Sequence, residues 1–543
     1  MRGWRALLAG ALALMAAAPA AAQFRGDFED PSALAALRGG NAELTPHAAR
    51  TGNAGLAVRG NAAMSLGPLL RHGTLLGFTL RARAESRPAR LSIVVRGEQA
   101  TSGQRLATMD LGTGWAEEHA GLLFVQRPGA GLPVLEFLVE PAGAMAFIDD
   151  VEIMPKGDWR AIARERLRAR HTREVEITLV HRGEPVTQAD VAITTTRRAF
   201  PLGGLLSARG LEEPRFRELF PRLFNFAVAE NEMKWPSIER QHNLEDYRRA
   251  DDLVAFAREH RLPLRGHTIF WEDPSKQPAW LADYKGDDLR READERLRSL
   301  VTRYRHDVVH WDVVNEPLHH RYLADALGEK FLVHAFQRAH EIAPSALLFV
   351  NDYGILTSDD EIDAYIALVQ RLRDAGAPIH ALGVQGHFTR VDGPAVLARL
   401  DRLHEGLGLP IWITEFEVVE PDATIRARAV EDFYLAAASH PAVDGILSWG
   451  FWAGAHGEGD DAAWFEKDWT VNPAGEAYLR FLEDWTTREQ LAPDEQGRVR
   501  LRAFHGEHAL AVTLPDGRVL RRSFVVEDAD APVRLEIVLL DEP

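Results

Sequence analysis

From residue 198 onward, short apolar runs alternate with longer stretches in which apolar residues recur at three- and four-residue spacing. The short runs suit strands buried on both faces, and the longer period suits helices with one apolar stripe. Strands are predicted at residues 200–206, 224–231, 264–271, 308–315, 347–352, 379–386, 410–415 and 445–451. Helices are predicted between them, among them 245–260, 326–343, 361–375 and 424–438, with a last one at 475–485. Strand and helix in strict alternation build a parallel sheet, and eight such units predict a (β/α)₈ barrel, an α/β fold, over residues 198–489.

Residues 24–156 follow a different pattern. Phe78-Thr79-Leu80-Arg81-Ala82, Leu91-Ser92-Ile93-Val94-Val95 and Val134-Leu135-Glu136-Phe137-Leu138-Val139 are short runs between Gly and Pro signals, with no helix between them, which predicts a β-sandwich. The opening Asp27-Phe28-Glu29-Asp30 and the closing Phe147-Ile148-Asp149-Asp150-Val151 resemble the ends of jelly-roll carbohydrate-binding modules. Sugar recognition relies on aromatic platforms, and this stretch has Trp115 alone and no tyrosine, which favours a structural role over sugar binding. A structural calcium ion would be compatible with the module, but no ligand spacing demonstrates one.

An Arg-rich helical linker is expected at 157–172. The segments on either side of the barrel, 173–197 and 492–543, are β-rich, and the first holds too few strands for a sheet of its own. With the barrel removed they resemble a small transthyretin-like sandwich, so the barrel is expected to be an insertion within it.

At 543 residues the chain exceeds one hydrophobic core. Arg2 and Arg5, an apolar run to Ala18 and the small residues Ala20, Ala21 and Ala22 give residues 1–23 the layout of a secretory leader, so export to the periplasm or the medium is expected. The chain has no cysteine, which excludes thiol catalysis and thiolate metal sites. A net charge of −17 disfavours nucleic acid and anionic membranes as partners. No later stretch is apolar enough to span a bilayer, and a monomer is expected.

Polar residues gather at the C-terminal ends of the predicted barrel strands, where catalytic groups of this fold sit. In chain order they are Glu230-Asn231-Glu232-Met233-Lys234-Trp235, Arg265-Gly266-His267-Thr268, Trp311-Asp312-Val313-Val314-Asn315-Glu316, Asn351-Asp352-Tyr353, Gln385-Gly386-His387, Thr414-Glu415-Phe416-Glu417 and Trp449-Gly450. In order and spacing they resemble family 10 of the glycoside hydrolases, the β-1,4-xylanases, across the whole barrel. Cleaving a glycosidic bond needs an acid for the departing oxygen and a carboxylate for the anomeric carbon. The resemblance implies that Glu316 is the acid/base and Glu415 the nucleophile. It also implies carboxyls about 5 Å apart, the separation of retaining enzymes.

By the same resemblance His387 and Glu417 orient Glu415, and Asn315 binds the 2-hydroxyl of the reacting sugar. Glu230, Asn231, Lys234, His267, Gln385 and Tyr353 contact sugar, and Trp271, Trp449 and Trp452 wall the cleft. Xylan or xylo-oligosaccharides are the implied partner, with no cofactor and no metal. Adjacent His319 and His320 point in different directions and carry no matching carboxylate spacing. Glu272-Asp273-Pro274-Ser275 after Trp271, Glu417 where the family usually has aspartate, and Phe451-Trp452-Ala453-Gly454-Ala455-His456 after Gly450 depart from the family pattern. Two alternatives stand beside this reading: another retaining β-glycanase of the same clan, such as a β-1,4-glucanase, and a non-catalytic polysaccharide-binding protein.

Overall fold

The computed structural model describes residues 24–26, 37–66, 73–97, 103–123, 131–528 and 532–540. The leader read at 1–23 and the opening Asp27-Phe28-Glu29-Asp30 lie outside the described residues. The chain divides into two compact units, residues 1–162 and 163–543.

In the first unit, nine strands form a single antiparallel hydrogen-bonded sheet around Leu56, Phe78, Leu91, Ile93, Phe137 and Ile148. The expected two layers are joined because the strand Gly55–Ser65 belongs to both. Its residues Leu56 to Arg59 pair with Met145–Asp158, and Asn61 to Ser65 pair with Pro133–Glu140. The change of partner falls at Gly60, whose φ of +80° bends the strand where a side chain would be strained.

The second unit holds the barrel and a sandwich built from the segments that flank it. Thr172–His181 pairs antiparallel with Arg498–Phe504 and parallel with Val533–Leu539. Asp190–Arg198 pairs with Arg488–Leu491 and Gly506–Thr513. Val175, Ile177, Val191 and Ile193 from before the barrel share one core with Leu501, Val512 and Phe524 from after it. The barrel is therefore an insertion in a sandwich that neither flank completes alone. At the junction the His171 ring packs 5.0 Å from Phe200 and 4.7 Å from Trp485. Arg198 donates to the carbonyls of Leu482 and Trp485, placing a cation at the C-terminal end of the last barrel helix, Pro473–Asp484.

The barrel strands, first to eighth, are Leu202–Leu206, Phe226–Ala229, Leu264–Gly266 continued by Phe270–Trp271, Val308–Asn315, Leu347–Asp352, Ala381–Phe388, Ile411–Val418 and Val443–Ser448. All neighbours are parallel, and the first pairs with the eighth to close the barrel. Leu205, Phe226, Val228, Phe349, Trp412 and Leu447 pack within it. The third strand is interrupted where one continuous run was expected. At the break Ile269 N–H and the Thr268 hydroxyl both donate to the Asp312 carbonyl.

Candidate active site

Strands four and seven are separated by strands five and six, and the polar residues ending all four meet at the barrel mouth. Glu316 follows the last residue of strand four. Its φ of +58° turns the chain over the mouth, a left-handed conformation that costs a non-glycine residue about 1–2 kcal/mol. Its N–H is held by the Asn351 carbonyl at 2.7 Å. Its carboxylate accepts from Trp271 Nε1 at 2.7 Å and from Gln385 Nε2 at 3.2 Å.

Glu415, on strand seven, is buried and fully engaged. Asn351 Nδ2 donates to Glu415 Oε1 at 2.8 Å and also to Asn315 Oδ1 at 2.8 Å. The Asn351 side-chain oxygen Oδ1 accepts in turn from the Thr414 hydroxyl at 2.6 Å. His387 stands between two carboxylates, with Nε2 3.3 Å from Glu415 Oε2 and Nδ1 2.6 Å from Glu417 Oε1. Asn315 Nδ2 is buried with no partner within the protein.

The two carboxyls are tuned in opposite directions. Burial pushes Glu316 above the usual carboxylate range; the Trp271 and Gln385 bonds oppose that rise and the charge of Glu415 adds to it. Burial would raise Glu415 too, but the bond from His387, with the charges of His267 and His387, holds it below the usual range. Burial pushes His387 down, and its two carboxylate partners more than offset this, raising it to about 10. Behind them Asp312 pairs with Arg265 and lies 3.0 Å from His267 Nδ1, deep under the mouth.

The residues from strands two, three and eight form one flank. Lys234 Nζ donates to Asn231 Oδ1 at 2.8 Å, and Asn231 Nδ2 donates to Glu230 Oε1 at 2.9 Å. The same ammonium lies 4.7 Å from the centre of the Trp271 ring and 6.0 Å from that of Trp449, so both indoles converge on it. His267 packs edge-on to Trp449 at 5.5 Å. Tyr353 stacks on His319 at 3.7 Å, and His319 Nδ1 is 2.7 Å from Asp352. His320 Nε2 turns instead toward Glu316 Oε2, at 3.8 Å. Among the described residues no group of three or more His, Asp or Glu could hold a metal ion.

Trp452 is placed differently from the other two tryptophans. It is 8% exposed, its ring is stacked on Trp469 at 4.3 Å, and its Nε1 donates to the Lys467 carbonyl. Four contributors were not singled out from sequence: Asn351, Thr414, the Arg265–Asp312 pair and Glu232. Glu232 accepts from Ala208 N–H and Asn231 N–H, which fixes the loop that carries Glu230 and Lys234. Asn351 stood in a recognised motif, but its double role depends on the register between strands four, five and seven. A cavity of about 460 Å³ opens beside His387, lined by Thr357, Arg390, Asp392 and Arg399 among others.

Fold and site together define a (β/α)₈ barrel with two oppositely tuned glutamates at its C-terminal mouth. The family model for glycosyl hydrolase family 10 matches residues 193–479, and the chain belongs to that family. It is 38% identical to the anti-sigma-I factor RsgI6 of Acetivibrio thermocellus over 359 residues, which is 66% of this chain and 47% of that protein. It is 31% identical to endo-1,4-beta-xylanase 3 of Arabidopsis thaliana over 427 residues, 77% of this chain and 55% of that protein. The chain thus spans about half the length of these relatives. Xylanase 10B from Thermotoga petrophila in complex with xylobiose is similar in structure, with a TM-score of 0.48, 24% identity and coverage of 52% of this chain and 94% of that one.

Proposed function

We propose that the protein is a retaining endo-β-1,4-xylanase that cuts internal bonds of xylan by double displacement. The observation that carries the reading is the opposite tuning of Glu316 and Glu415 within one hydrogen-bonded mouth. A carboxyl raised by burial keeps its proton for the departing oxygen, while an ionised carboxylate meets the anomeric carbon. Water then resolves the glycosyl-enzyme, with Glu316 now acting as base. The unpartnered Asn315 Nδ2 is a donor for the sugar 2-hydroxyl, a bond that strengthens in the transition state. Lys234, Trp271 and Trp449 hold the non-reducing-side sugars, with Asn231, Glu230 and His267 supporting them. No cofactor enters this chemistry.

The leader-like residues 1–23 support export, to the periplasm or the medium, and the protein is read as a monomer. The N-terminal module is read as structural. Its only tryptophan, Trp115, packs against Ala48, Ala57 and Phe147, with the Arg83 guanidinium 5.3 Å from the centre of its ring. The activity is tested by reducing-sugar release from xylan, carboxymethylcellulose and mannan, with Glu415→Ala as control. Release from xylan above the other two supports the reading. Preference for carboxymethylcellulose would make the protein a glucanase, and no release from any would make it a binding protein.

A further inference from the structure

We propose that His456 is a positioning residue: its Nε2–H faces Glu417 and extends the chain Glu415–His387–Glu417 by a fourth member. This rests on the proposed role of Glu415 and deepens it. Two of the departures noted in the sequence, Glu417 on strand seven and the stretch 451–456 after strand eight, meet at this point in space.

The tautomer follows from the partners. His456 Nδ1 accepts from Glu458 N–H at 3.2 Å, so in a neutral ring the proton sits on Nε2. That Nε2 is buried, with its side chain 1% exposed, and has no hydrogen-bond partner; the nearest carboxylate oxygen is Glu417 Oε2 at 3.6 Å. The gap is just beyond a direct bond, short enough for charge–dipole attraction and closed by a small side-chain rotation. Gly450 makes room for the ring: a Cβ there would meet His456 Cδ2 at 2.5 Å. The charged groups acting on the ring are Glu417 from strand seven, His387 from strand six and Arg426 from the helix Ala423–Ser439. Burial pushes the His456 pKa below the ordinary histidine value, favouring the neutral ring, with Arg426 and His387 adding to the effect and Glu417 opposing it. A neutral donor on one oxygen of Glu417 leaves the other, Oε1, aimed at His387, and so helps keep Glu415 ionised.

The consequence has a sign. Removing the donor leaves Glu417 Oε2 unheld, so Oε1 is less well aimed at His387 Nδ1 and the cationic His387 that holds Glu415 ionised loses support. His456→Phe should therefore move the acidic limb of kcat/KM on a soluble aryl xyloside upward by about half a pH unit or more, and His456→Gln, which restores an N–H at that position, should bring it back. A limb that stays in place in His456→Phe, or moves equally in His456→Gln, overturns the proposal. The wild-type chain gives a reading that needs no variant and no activity. Nitrogen-15 NMR of the imidazoles at about pH 7.5 or above, beyond the ordinary histidine range, should show His456 neutral with its proton on Nε2, whereas an Nδ1–H tautomer or a charged ring there overturns the proposal. Absence of xylan hydrolysis would sink the functional reading while leaving the tautomer result intact.

Discussion

Trp271 Nε1 donates to Glu316 Oε2 at 2.7 Å, so a residue expected only to wall the cleft also touches the group expected to give up a proton. The bond favours the ionised carboxylate and partly counteracts burial. Trp271→Phe keeps an aromatic face and removes the donor, so the Glu316 pKa should rise further. Because activity is lost at high pH when Glu316 deprotonates, the basic limb of kcat/KM should move to higher pH. A pH–rate profile of the variant on xylo-oligosaccharides checks this, and a limb that moved down would contradict it.

Among the described residues, Asn351 is the one side chain bonded to both Asn315 and Glu415. A bond to a charged group contributes about 1.5–3 kcal/mol, so Asn351→Ala should lower kcat/KM by about 10- to 100-fold. Asn351→Asp places a second carboxylate against Glu415 and should cost more, with its acidic limb shifted upward. Steady-state kinetics of the two variants, with melting curves to confirm folding, separate this from a packing defect.

These two bonds mark how far the sequence could be read. The eight strands were legible because each is a short apolar run and, from the second to the eighth, ends in polar residues; Glu316, Glu415, His387 and Gln385 lie at such ends. Asn351 and Thr414 also lie there, but which atoms they meet is set by register between strands distant in sequence, which no local pattern encodes. The break in strand three was hidden because His267, Thr268 and Ile269 read as strand formers. Their polar groups instead satisfy Asp312. Burial, the leading cause of the Glu316 shift, exceeds the effect of the Glu415 charge, and burial depends on packing that no local pattern encodes.

Glu272, one of the departures that follow Trp271, stands fully buried, with Oε2 accepting from Ala324 N–H and Oε1 unpartnered. Burial raises its pKa from the ordinary 4.5 to about 7. A raised folded-state acid stabilises the fold fully below its unfolded pKa, and the contribution is lost as pH rises through 7. Glu272→Gln cannot ionise, so it should be more stable than the parent at pH 8, by an amount on the order of 3 kcal/mol, with the gap shrinking toward pH 5. Denaturant unfolding at the two pH values measures it. An equal gap at both would contradict the assignment.

The strand Thr172–His181 takes both main partners, Arg498–Phe504 and Val533–Leu539, from beyond the barrel. Deleting residues 492–543 should leave its amides, and those of Asp190–Arg198, largely unprotected. Hydrogen exchange read by mass spectrometry should show that loss in residues 172–198 while strands four to seven of the barrel stay protected. Unchanged protection at Val175 to Ile193 would mean that the flanking strands do not depend on one another.

The assignment of Glu316 as acid/base and Glu415 as nucleophile is tested most directly by the stereochemistry of a rescued reaction. Glu316→Ala should turn over an aryl xyloside with a good leaving group, because that step needs no proton, and then stall as a glycosyl-enzyme on Glu415. Added azide should release it, and proton NMR of the product should show a β-configured glycosyl azide. An α-configured azide would mean that the two glutamates carry each other's roles.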